Sequence, residues 1–151
     1  MIKHIWSVLC QKSSVDQQSN NVSLFDVFEA LEVGINPTTN IKPSDNPEFN
    51  IPIQYQVVSL WTVTDAKNNE GEIRVTLIYP DGKEKFLIDS DLKFLAGKRR
   101  MRSINQIQGL PVNKSGDYHF IVELKQGEKF QKVSDLPLEV KLNINTIPQR
   151  A

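Results

Sequence analysis

Cysteine occurs once in this chain of 151 residues and histidine twice, and the charges cancel, with 18 lysines and arginines against 18 aspartates and glutamates. Each scarcity excludes something. One cysteine forms no internal disulfide, which suits a reducing compartment. Two histidines and one cysteine close no zinc site without help from carboxylates. A zero net charge sets up no global field toward nucleic acid or an anionic membrane, so any electrostatic recognition must be local. No run approaches the ~20 apolar residues of a membrane span. The apolar stretch at 5–10 is too short for a signal-peptide core, contains a serine, and has Leu9 where a lipoprotein cleavage site wants a small residue. These features together predict a cytoplasmic protein with no membrane association.

What is present has the balance of a soluble globular domain, 39% hydrophobic and 24% charged. The length suits one domain with a sizeable core, so residues 1–151 read as a single unit. Patterning of period two recurs through it. "IKHIWSVLC" reads as a strand with Ile2, His4, Trp6 and Val8 on one face. "FNIPIQYQVVSLWTV" alternates Ile51, Ile53, Tyr55 and Val57, then runs on through Leu60, Trp61 and Val63 as if across a bulge. "EIRVTLIYP", "EKFLIDSDLKFL", "DYHFIVELK" and "LPLEVKLNI" behave alike, with Leu136, Leu138, Val140 and Leu142 inward in the last. The punctuation agrees. In "YPDGKE" Pro80 fixes φ and Asp81-Gly82 supplies a turn pair, while Gly116 and Gly127 mark two further turns.

Residues 22–33, "VSLFDVFEALEV", have helical spacing at Leu24, Val27, Phe28 and Leu31, but their β-branched and aromatic content favours an irregular strand. Two connections are long: a polar one at 11–21 and one at 34–49 that carries three prolines. About eight short strands between turn signals predict an all-β, antiparallel, immunoglobulin-like β-sandwich. "SGDYHF" sharpens this, because Tyr118 after Gly116 and before Phe120 resembles the tyrosine corner of such sandwiches. Trp61 is the candidate for the central buried indole.

In order, "VSLF", "PDG", "GLPVNKSGDYHFIVEL" and "LPLEV" resemble an uncharacterised family of small bacterial β-sandwich proteins, across almost the whole chain. The resemblance implies a fold and a bacterial, non-exported setting. It carries no activity and no catalytic residue.

The chemistry-bearing residues point away from catalysis. No G-x-S-x-G elbow and no glycine-rich phosphate loop occurs. His4 and Cys10 fall on one strand face but some ~20 Å apart at ~3.3 Å per residue, and a buried structural Cys10 is expected. His119, between Tyr118 and Phe120, is a solvent-face residue. "DAKNNEGE" (65–72) lacks the ligand pattern of a calcium loop, and Asp89 and Asp91 read as a solvated strand face. No catalytic residue, metal ligand or cofactor is therefore assigned, and the protein is not expected to be an enzyme. Trp6, Trp61, Tyr55 and Tyr79 are of the types that stack on sugars, but their alternation assigns them to core packing.

The remaining candidate is "GKRRMR". Lys98, Arg99, Arg100 and Arg102 suit an anion. The alternative is a turn and a polar strand face, partly neutralised if "LIDSDLKF" lies alongside "RRMRSI". The reading that follows is a non-catalytic module for protein–protein interaction or self-association, with nucleic acid not favoured. Its alternative is a binder of a small molecule or polyanion (nucleic acid, phosphate or sugar).

Overall fold

The computed structural model describes residues 1–35, 48–65 and 67–144. Among the described residues nine strands form: β1 (Ile2–Val15), β2 (Val22–Val27), β3 (Ala30–Ile35), β4 (Phe49–Val63), β5 (Glu70–Ile78), β6 (Glu84–Lys93), β7 (Arg100–Val112), β8 (Gly116–Lys125) and β9 (Phe130–Ile144). The count exceeds the expected eight because 22–33 is split: β2 and β3 lie in different sheets. The first sheet has the order β2-β1-β4-β7 and the second β3-β9-β8-β5-β6. Every pair is antiparallel except β3 with β9, which run parallel. The architecture is an immunoglobulin-like β-sandwich.

Alternation builds the core from both sheets. Ile73, Val75 and Leu77 of β5, Tyr118, Phe120 and Val122 of β8, and Leu138 and Val140 of β9 face Tyr55, Val57 and Trp61 of β4. Removing each such aliphatic or phenyl side chain from water stabilises the fold by about 1.5–3 kcal/mol. Trp61 is fully buried and its Nε1–H donates to Ser103 Oγ at 2.8 Å, so the indole's polar edge is satisfied inside the core. Gly109 sits at φ +84°, beside the register shift between β4 and β7, and a Cβ there would lie 2.7 Å from Asn50 Oδ1.

The strand faces differ from the sequence reading in two places. In β1 the ladder slips between His4, opposite Trp61, and Trp6, opposite Leu60. Ile5 is the extra residue, so His4, Ser7 and Leu9 share the inward side with Ile2, while Trp6, Val8 and Cys10 face outward. His4 and Cys10 are thus on opposite faces. In β4 the odd positions stay inward through Ser59, and Val58 and Leu60 belong to the outer face.

Val58 and Cys10 are nonetheless wholly buried. Their cover is the β1–β2 hairpin. The β1–β4 ladder ends at Cys10, and residues 11–15, expected as part of a connection, continue β1 in partnership with β2 alone. This arm lies back over the outer face: Ser13 Oγ donates to Gln56 Oε1 at 2.6 Å, and the Asn20 carbonyl at its turn accepts from Arg102 Nη2 at 2.9 Å. Of the long connection expected at 34–49, residues 34–35 close β3 and 49 opens β4, while 36–47 fall outside the described residues.

The tyrosine corner forms. Tyr118 Oη donates to the Lys114 carbonyl at 2.7 Å and accepts from the Asn113 and Lys114 amides at 3.0 and 3.2 Å. It ties β8 to the loop by which the chain crosses from β7 into the second sheet. Tyr118→Phe leaves these groups unpaired at a buried site and is expected to cost about 1–3 kcal/mol. A shift in the urea midpoint measures it, and an unchanged midpoint would mean that water replaces the phenol.

Candidate functional site

The chain leaves β6 with Phe94 buried in the core, its amide donating to the Asn69 carbonyl at 2.9 Å. It then turns at Ala96-Gly97, where Gly97 adopts φ +78° and the Lys98 amide closes on the Leu95 carbonyl at 3.0 Å. The Arg99 carbonyl accepts from both the Val63 amide and Thr62 Oγ1 at 3.0 Å, which docks the start of β7 on the end of β4.

This crossing places the basic cluster. β6 belongs to the second sheet and β7 to the first, so "LIDSDLKF" does not lie alongside "RRMRSI". Asp89 and Asp91 stand opposite Arg74 and Glu72 of β5 instead. Arg74 itself pairs with Glu123 at 2.6 Å and stacks on Phe130 at 3.9 Å. The expected partial neutralisation is therefore overturned: among the described residues none of Lys98, Arg99, Arg100 or Arg102 forms an ion pair. Lys98, Arg99 and Arg100 are exposed. Arg102 is half-buried, and its Nε is buried with no acceptor among the described residues.

The four do not converge on one concavity. Lys98 and Arg99 border a cleft of about 390 Å³ at the end of the sandwich, together with Phe94, Leu95 and Asp65. Asp65 is held below the ordinary carboxylate range by the Asn68 and Lys67 amides and pairs with the N-terminal amine at 3.3 Å. Arg100 and Arg102 lie instead on the outer face of the first sheet. The ladders set Lys3, Thr62 and Arg100 in one cross-strand row and Trp6, Leu60 and Arg102 in the next, followed by Val8, Val58 and Ile104.

That face belongs to a charge-segregated sandwich. β1, β4 and β7 hold no carboxylate at all, and Asp26 in β2 is the one acid in the strands of the first sheet. Every strand of the second sheet carries at least one. A chain of zero net charge thus folds into two sheets of opposite sign. Reading the sequence as a line missed this, because the two populations alternate along the chain and separate only once sheet membership is known.

Both sheets end in free edges on one flank. β7 is the last strand of the first sheet and β6 of the second, and among the described residues neither has a partner strand on its far side. Asn105 of β7, 4% exposed, reaches across to Ser90 of β6 with its Nδ2 at 2.8 Å. The two edges are thereby stacked on each other.

The remaining chemistry-bearing residues are scattered. His4 Nε2 lies 2.7 Å from Ser7 Oγ, which lies 2.6 Å from Ser59 Oγ, and the ring packs edge-on to Trp61 at 5.1 Å. His119 is on the outer face of the second sheet, as expected, with Nδ1 2.7 Å from Asp135 Oδ1. Burial raises the Asp135 pKa, but the hydrogen bond and charge of His119, with Lys132 at 3.4 Å, outweigh it and hold the carboxyl below its ordinary range. Cys10 is buried and its thiol pKa is raised by that burial. Tyr55, Tyr79 and Trp61 are core residues; Trp6 alone of the four sugar-stacking candidates reaches the surface.

No family model matches the chain, and no curated protein matches it. Among solved structures, an immunoglobulin-like protein from Pseudomonas aeruginosa aligns over 93% of this chain and 97% of its own, at 9% identity and a TM-score of 0.37.

Burial holds the His4 pKa below its ordinary value of 6.5, against an opposing backbone hydrogen bond at Trp6. The unfolded chain therefore binds this proton more readily than the folded one. Its contribution to stability is complete above pH 6.5 and is lost as the pH falls toward and through the lower folded value. Urea midpoints measured between pH 7.5 and 5 are expected to fall more steeply for the wild type than for His4→Gln. Parallel curves would place the titration elsewhere.

Proposed function

We propose that the protein is a non-catalytic, cytoplasmic interaction module whose β7 edge receives an extended segment of another polypeptide. The observation that carries this reading is the free side of β7, 13 residues long and unpaired among the described residues, beside cations that have no carboxylate partner there. An edge strand offers a row of main-chain donors and acceptors, so a segment added to it gains a ladder of hydrogen bonds without needing a pocket. Side chains of the first sheet then set the preference. Arg100 and Arg102 favour acidic residues in the incoming strand, and Ile104, 43% exposed, favours an apolar one. The local field of the cationic face, acting within about a Debye length, favours the docking step and makes it salt-sensitive.

A second reading has its own support. Lys3, Arg100 and Arg102 around Trp6, on a sheet face almost without acids, also suit a polyanion, with the indole as a stacking surface. The strand-addition reading is preferred because the cations are spread over a cleft rim and a flat face, and a free edge needs no concave site.

Crosslinked affinity purification with and without nuclease, from cells that make the protein, separates the two. A stoichiometric protein is expected to survive nuclease, with recovery at least about tenfold lower for Arg100→Glu/Arg102→Glu. Loss of all captured material on nuclease treatment transfers the assignment to a polyanion. A partner captured equally by the variant removes β7 from the interface.

A further inference from the structure

The edge that complements β7 is present in this chain. β6 closes the second sheet on the same flank and is acidic where β7 is basic: its outer side presents Asp91, Asp89, Phe86 and Glu84, with Lys93 at the end of the row paired to Glu70. Asp89 and Asp91 are exposed and form no ion pair among the described residues. Phe86 is 56% exposed, one of the large apolar side chains that the fold leaves in water, as is Ile104 on β7.

We propose that β7 of one copy takes β6 of a second copy as its added strand, in antiparallel register, so that the protein self-associates through this flank. The inference rests on the β7-edge reading above and names its occupant. Setting Arg102 opposite Asp89 brings Arg100 opposite Asp91. The ladder between β5 and β6 slips so that Leu87 has no partner on β5. That extra residue turns Phe86, rather than Leu87, to the outer face, where it meets Ile104. Three consecutive outward positions are then matched: two opposite-charge pairs and one apolar pair, the kinds of cross-strand neighbour that stabilise a sheet.

Asn105 and Ser90 hold β7 and β6 together on one flank, so the pairing is self-complementary: a twofold axis along the strands that lays β7 of one copy against β6 of the second also lays β6 of the first against β7 of the second. The product is a closed dimer. Within one molecule the crossing at 94–99 keeps these two strands in separate sheets, so the match is available only between molecules.

Sedimentation velocity over a concentration series tests the proposal with three samples: wild type, Arg100→Asp/Arg102→Asp, and Asp89→Lys/Asp91→Lys. The wild type is expected to associate with rising concentration, and less so at high salt. Each variant sets like charges against each other and is expected to raise the dissociation constant at least about tenfold. An equimolar mixture of the two variants restores association, since each supplies the edge that the other has reversed. This restoration also shows that both variants are folded. A wild type that stays monomeric to about 1 mM overturns the proposal. So does association that neither variant weakens, or a mixture that restores nothing.

Failure here is distinguishable from failure of the β7-edge reading. A monomeric wild type that still captures an outside protein, retained by the β6 variant and lost by the β7 variant, refutes self-pairing and leaves the edge as the binding site. A captured protein that both variants retain refutes both.

Discussion

Phe94 decides what this molecule presents to its surroundings. A strand followed by "LAGKRR" and another strand would ordinarily fold back as a hairpin in one sheet. The phenyl ring at the end of β6 is 2% exposed, drawn between the sheets, with its amide held by Asn69. Once the ring is anchored in the core, the chain that follows turns at Gly97 and is caught by Val63 and Thr62 at the end of β4. It then runs down the other sheet. Burial of one aromatic side chain, worth a few kcal/mol, thus outweighs the ion pairs a hairpin would have made, since solvent-exposed pairs contribute about 0–1 kcal/mol each. The acids of β6 and the cations of β7 are separated by that choice, and both strands become edges.

The fold was legible because its signals are local. Tyr118 follows Gly116 at the distance a tyrosine corner needs, Asp81-Gly82 makes the turn it advertises with the Gly82 amide on the Tyr79 carbonyl, and period-two runs at 73–77 and 118–124 bury the residues they mark, while the run at 136–142 buries Leu138 and Val140 and packs Leu136 and Leu142 half-buried against the core. What was not legible depends on non-local placement. The slip after His4 leaves no trace in "HIWSV", because Ile5 is as apolar as its neighbours, yet it inverts the faces of the rest of β1. Val58 and Leu60 confused the alternation of β4 because they are apolar on the outer face. Their burial comes from a hairpin arm whose contacts, Ser13 to Gln56 and Asn20 to Arg102, span 43 and 82 residues. The candidate cluster was visible as four cations, but its lack of carboxylate partners among the described residues depended on which sheet each strand joins, and periodicity does not encode that.

The same hairpin arm explains why the cationic face has its present extent. The first sheet is apolar on both sides: inward at Tyr55, Val57 and Trp61, outward at Val8, Val58 and Leu60. A two-layer sandwich covers only the inner side. Folding 11–25 back over Cys10 and Val58 closes part of the outer side at the cost of extending a two-stranded arm beyond the sheet, where it is stable only through such contacts. Trp6 and Ile104 lie at the margin of this cover and stay partly in water, next to Arg100 and Arg102. The binding candidate is thus the margin of an apolar sheet face, which the protein's own arm touches at Arg102 and does not cover.

Free edges are hazardous, and proteins commonly blunt them with charge, bulges or proline. β6 and β7 carry two of these devices, charges on both and a bulge at Leu87, yet the charges of β7 are all basic, and the neighbouring outward charges Asp89 and Asp91 of β6 are both acidic, with Lys93 beside them tied to Glu70. Single-sign charge is selective. Pairing β7 with β7 about its basic end sets arginine against arginine, and pairing β6 with β6 about Ser90 sets Asp89 against Asp91; both lose free energy to like-charge repulsion. Only the mixed pairing, or a foreign acidic strand, gains it. Segregating charge between two sheets therefore does more than protect an edge, because it leaves one class of strand welcome and rejects the others. A chain whose charges sum to zero shows none of this at distances beyond a Debye length of about 8 Å in physiological salt. The discrimination acts at contact, where each sheet meets its neighbour with a sign of its own.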